Sequence, residues 1–288
     1  MLFQTNRTEN SAENSVDFAS KIYDVKPIQS AWNFLVEFYS QKNFKPAVIL
    51  LYSALALTLW KYIPPAPPFA DSETGANLLA VNFAGSDAET VRPLDGSLQF
   101  GVLQFLWNAR KLWGAFLLMG VCPALIVKFV FKEKLADYGL RLGSLKRTLV
   151  TFLSFTPIFV VMGWLSGETK SFYDVYPFNP LAGASYGALV AHSIMYLALY
   201  YLAWEFMFRG FLQLGLADSC GPVPAVMIQV LASTMLHYGH PISETLGCVA
   251  GGLLWGFFVY RTRSIFSGWG QHALLGILLD WSLIFKAC

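Results

Sequence analysis

The chain has 288 residues, 55% of them hydrophobic and only 13% charged, with a formal net charge of +2. An ordinary soluble domain carries roughly a quarter charged residues, so this composition argues against one. The small net charge leaves no footprint for nucleic acid. Runs of about 20 apolar residues are the natural unit of such a chain, and the expected fold is all-α, a polytopic transmembrane helical bundle.

Residues 1–45 form a polar N-terminal segment with Arg7, Lys21, Lys26, Lys42 and Lys45 scattered through it. It has no apolar core of the kind a cleaved signal peptide needs, so the first span is expected to act as the insertion signal. Within this segment Trp32, Leu35, Val36 and Tyr39 fall at helical spacing, which predicts an amphipathic helix lying on a membrane surface. Residues 46–288 form the transmembrane domain. Its first span, 46–63, closes at the Pro64–Pro68 cluster, because proline cannot continue a helix. A loop at 64–97 follows, with Arg92 its only basic residue. The second span is 112–131, with Pro123 as an expected kink. The third is 148–165, after a basic loop holding Lys128, Lys132, Lys134, Arg141, Lys146 and Arg147. Breaks at Ser219–Pro224, Gly239–Pro241 and Arg261–Arg263 divide the rest into spans at 188–212, 223–238, 245–260 and 265–285, about seven in all.

Lysine and arginine collect before the first span, in the 128–147 loop and at Arg261 and Arg263. By the positive-inside bias the N-terminus is cytosolic and the C-terminus outside, in a multi-pass protein of the cell inner membrane. Cys122, Cys220, Cys248 and Cys288 show no paired spacing, so no disulfide framework or CxxC metal site is expected. Gly247 with Gly251, and Gly252 with Gly256, have the small-xxx-small spacing that lets helices approach closely in lipid.

Charged groups inside spans are costly unless paired or hydrated. Glu205 and Arg209 lie four residues apart, on one helical face, and can pair. His237 ends the next span and His272 lies in the last. A lone histidine in a membrane helix is more often an interhelical hydrogen-bonder than a ligand, but here two histidines and an ion pair come from three separate helices. Hydrolysing an amide requires a base for the attacking water and donors for the oxyanion. Glu205 could be that base. His237 and His272 could orient the water, stabilise the oxyanion, or ligate Zn²⁺ through neutral imidazole. His240 and Glu244 read as holding the HPISE turn, His192 has no obvious partner, and Asp280 is expected near the face of His272. By a simple topology count Glu205 and His237 sit at different depths. They meet only if the fourth helix runs past Gly210 or the fifth is short or tilted.

Taken in order, WEFMFRGFL, a span ending LHYGHP, and SIFSGWGQHALLG closely resemble the three motifs of the CPBP family. These are the CAAX-processing and bacteriocin-processing intramembrane proteases, also called the ABI family, with the pattern Glu-Glu-x-x-x-Arg, Phe-x-x-x-His and His-x-x-x-Asn. The resemblance covers about residues 140–285, from the YGLRLG segment onward. It implies an intramembrane endopeptidase, in contact with membrane lipid, that cleaves membrane-associated or prenylated polypeptides. It also implies Glu205, Arg209, His237 and His272 as the site. Three positions depart: Trp204 stands for the first Glu, Ser233 for the Phe and Gly276 for the final polar residue. Tryptophan cannot accept a proton, and adjacent helical residues point about 100° apart. Either Glu205 takes over as base, or the protein is a retired relative acting as a membrane scaffold or bacteriocin-immunity protein. Zn²⁺ on His237, His272 and Glu205 stays open, but it would occupy the only base, so the water mechanism is preferred. A transporter is a third reading, without an internal repeat to support it.

Overall fold

The structure, a computed structural model, describes residues 27–38, 40–64, 102 and 105–287. The earlier part of the N-terminal segment and nearly all of the 64–97 loop lie outside the described residues. Contacts divide the chain into Met1–Ala47 and Val48–Cys288. In the first unit, helix α1 (Pro27–Phe38) covers the expected amphipathic stretch and leaves Leu35 and Val36 exposed.

Helices α2 (Gln41–Lys61), α3 (Arg110–Val130), α4 (Leu145–Ser166), α5 (Tyr186–Cys220), α6 (Pro222–Leu236), α7 (Ile242–Thr262) and α8 (Phe266–Ala287) fall on the seven expected spans. No strand occurs among the described residues. By length and apolarity α2, α3, α4, α5 and α7 can each cross a membrane. The 15 residues of α6 rise only about 22 Å at 1.5 Å per residue, less than the roughly 30 Å of a hydrocarbon core. Helix α8 is long enough at 22 residues, but Gln271, His272 and Asp280 interrupt its apolar run.

The expected fourth span ended at 212, whereas α5 runs on to Cys220, 35 residues in all. Ser185 starts it by accepting a hydrogen bond from the Ala188 amide, and Gly221, at φ 86°, ends it. Its middle carries π-helical stretches, Tyr196–Tyr201 and Phe206–Leu214, around a single α turn at Leu202–Glu205. Such insertions re-aim side chains and are frequent at functional sites. Gly210 sits inside the helix, where a Cβ would lie 2.6 Å from the Tyr138 carbonyl oxygen. The Gly210→Ala variant is therefore expected to lose stability. Its gain in helix propensity, up to about 1 kcal/mol, is outweighed by about 1–3 kcal/mol of overpacking against rigid backbone. A lower unfolding midpoint in detergent checks it.

Helices α6 and α7 meet at two of the four glycines expected to pack. A Cβ on Gly252 would touch Val230 at 3.1 Å, and one on Gly256 would reach Gln229 Nε2 at 2.9 Å. Their carbonyls accept from Gln229 and Gln213, both at 2.8 Å. Gly247 faces open space and Gly251 meets Trp255 of its own helix, so the first pair does not serve as a helix contact. At one end of the bundle, Gly139 accepts from the Ile265 amide and Arg141 Nε donates to the Arg263 carbonyl. Two of the basic clusters therefore lie together.

Candidate active site

Helix α5 brings Glu205 and Arg209 into the interior, 0% and 1% exposed. Arg209 Nη1 lies 3.1 Å from Glu205 Oε1, an ion-pair distance at an angle outside hydrogen-bond geometry, which leaves Nη1 and Nε without a hydrogen bond. From α8, His272 Nδ1 approaches the same oxygen at 2.7 Å. A carboxylate only accepts, so Nδ1 carries the hydrogen and donates it, and Nε2 is left as the second ring position. Trp255 of α7 stacks on the His272 ring, centroids 4.2 Å apart, and the Arg209 guanidinium lies over the same indole at 5.6 Å. The indole N–H donates to Gln271, whose amide reaches the α4 carbonyls of Thr151 and Phe152. Three helices thus clamp the imidazole.

His237 follows the last residue of α6. Its Nδ1 lies 2.8 Å from the Ser233 carbonyl, so it too donates there and keeps Nε2 as an acceptor. Lys61 at the end of α2 fixes this corner by donating to the carbonyls of Leu236 and Tyr238. The long α5 and short α6 bring the two depths together: the Trp204 ring stands edge-on to His237 at 5.6 Å and to His272 at 6.3 Å. Of the four expected site residues, Glu205, Arg209 and His272 are in mutual contact through one carboxylate oxygen, and His237 sits across the Trp204 ring.

Arg209, His237 and His272 wall one cavity of about 400 Å³ with Trp204, Tyr201, Glu244 and Cys248. Glu205 is not among its lining residues. The facing side is apolar, built by Phe155, Ile158, Phe159 and Met162 of α4 with Leu254 and Leu275.

Several residues that the sequence did not single out for the site also line or support it. Glu244 does hold its turn, since His240 Nδ1 lies 3.1 and 3.2 Å from its two oxygens. It also accepts from the Tyr176 hydroxyl at 2.6 Å and lies 3.6 Å from His237 Nε2. Burial first, and then the Glu244 charge, hold the Tyr176 phenol well above its ordinary value, so it remains a neutral donor. Gly276 does not leave a gap: a Cβ there would fall 1.7 Å from the Tyr201 hydroxyl oxygen, so the phenol occupies the room a side chain at 276 would use. The Tyr201 ring in turn packs on His272 at 4.7 Å.

Asp280 does not support His272. It pairs with His192 at 2.8 Å, both 1% exposed, because eight residues along a helix turn it about 80° away from His272. The zinc set also fails to form. Among the described residues no three His, Cys, Asp or Glu are grouped to hold a metal ion, and Glu205, the third expected ligand, does not line the cavity that His237 and His272 share. Cys122, Cys220 and Cys248 are free thiols.

The fold and this cluster define an integral membrane protein with a polar centre held between its helices. Residues 186–278 match the family model described as type II CAAX prenyl endopeptidase Rce1-like. That stretch contains all three motifs, and the match supports a likeness to the CPBP family of intramembrane proteases. No curated protein and no solved structure matches the chain.

Proposed function

We propose that the chain is an active intramembrane endopeptidase that hydrolyses a backbone amide of a membrane-associated, prenylated polypeptide. One observation carries this reading: two imidazoles from different helices, each with Nδ1–H committed to a protein acceptor, line a single cavity beside a buried arginine. Fixing Nδ1–H sets the tautomer, so each ring keeps a lone pair at Nε2 to orient a water. Glu205 acts through His272, as a carboxylate that holds an imidazole in one tautomer and orientation does. It is sealed from the cavity and engaged by two partners, which argues against its being the base. Arg209 supplies the positive charge that balances the oxyanion. The apolar α4 wall suits a substrate with a prenyl chain, as the matched family's description suggests. The joined basic clusters of the 128–147 loop and Arg263 support a cytosolic N-terminus.

A scaffold without activity is the second reading, and one observation favours it: the Trp204 indole, 3% exposed, stands against both imidazoles. Purified protein in liposomes with a farnesylated peptide ending in a CAAX sequence separates the two. We expect cleavage by the wild type and a fall of about 100-fold or more in His272→Ala and His237→Ala. Equal rates in all three would remove the site. Binding of the peptide with no cleavage by the wild type would establish the scaffold.

A further inference from the structure

Hydrolysis requires a group that takes the proton of the attacking water, and the two carboxylates near the site differ in whether they can reach one. Glu205 has 0% of its side chain exposed and is not among the residues that line the cavity. Glu244 comes from the first turn of α7, lines the cavity, and keeps 16% of its side chain exposed. Its Oε1 lies 3.6 Å from His237 Nε2, too far for a direct hydrogen bond and close enough for both atoms to hold the same water. Tyr176 donates to that same Oε1, and His240 Nδ1 lies 3.1 and 3.2 Å from Oε1 and Oε2, so the carboxylate is fixed in place with Oε2 the less engaged oxygen. Trp204 fills the α5 position where a carboxylate would otherwise face His237.

We infer that Glu244 is a catalytic residue, the base that activates the water held at His237, supplied by α7 in place of α5. The assignment rests on the hydrolase reading above. The water oxygen bonds to the scissile carbonyl carbon while its proton passes to the Glu244 carboxylate, and the carbonyl electrons move onto oxygen beside Arg209. The tetrahedral intermediate then collapses. The C–N bond breaks, the proton on Glu244 goes to the departing nitrogen, and the products are a carboxylic acid and an amine.

The test uses the full chain in liposomes with the farnesylated CAAX peptide, comparing wild type, Glu244→Gln, Glu244→Asp and His240→Ala. Glu244→Gln keeps the shape and an acceptor for Tyr176 but cannot take a proton. We expect its kcat to fall about 100-fold or more, with KM within about threefold and the unfolding midpoint unchanged. Glu244→Asp should recover part of the rate, and His240→Ala should stay within about tenfold of wild type. If Glu244→Gln cleaves within about threefold of wild type while His272→Ala is inactive, the base assignment fails and the hydrolase reading stands. If Glu244→Gln and His240→Ala lose activity and midpoint together, Glu244 only holds the turn and the assignment is overturned. An inactive wild type removes the hydrolase reading and this assignment with it.

Discussion

Replacing Glu205 by Ala is expected to destabilise the bundle by about 3–5 kcal/mol, the usual consequence of leaving a buried charge without its partner. Arg209 is 1% exposed, so bulk solvent does not take over from the lost carboxylate. Its guanidinium also lies over the faces of Trp255 and Phe208, at 5.6 and 6.0 Å. Cation–π attraction of about 0.5–2 kcal/mol cannot replace the lost carboxylate. His272 Nδ1–H would lose its acceptor as well, adding to the loss. Glu205→Gln, which keeps an acceptor for His272, should lose less. The double variant Glu205→Ala with Arg209→Met should recover much of the stability, because removing both charges relieves the unpaired one. Unfolding midpoints in detergent decide it. A single variant as stable as the wild type would mean that Arg209 has another counter-charge and that the cluster is not held as described.

The second large effect lies at Gly276. Gly276→Asn would restore the polar side chain of the third family motif, but its Cβ would meet the Tyr201 hydroxyl oxygen at 1.7 Å and Cζ at 2.6 Å. The ring cannot swing aside, being packed between Tyr196, Tyr200 and His272 at centroid distances of 4.7, 5.0 and 4.7 Å. Overpacking at this severity is expected to destabilise by about 3 kcal/mol or more. Tyr201→Ala alone leaves a cavity that costs about 3–5 kcal/mol. Combined, the two changes should destabilise by about 1–3 kcal/mol less than their sum, since each provides the space the other lacks. A double-mutant cycle of unfolding free energies measures this, and strict additivity would show that Tyr201 and Gly276 do not share the space.

Parts of the site were legible in the sequence because they are local. Glu205 and Arg209 declare their pairing by a four-residue spacing, and His272 stands out as a polar residue in an apolar run. Glu244 was legible only as a partner of His240, also four residues away. That it walls the same cavity as His272 depends on how α6, α7 and α8 turn toward one another. Trp255 and Tyr201 sit among many aromatic residues, and nothing in their neighbours sets them apart.

The all-α, membrane-embedded class and the positions of the helices were determined by the sequence alone, because run length, proline and charge act within one segment. The direction each polar side chain faces was decided only by the tertiary structure. π-helical turns shift the face of α5, a 15-residue α6 sets the level of His237, and close contacts between distant helices choose which groups meet. A helical residue's azimuth depends on every turn before it and on the neighbour it packs against, and no single stretch of sequence contains both.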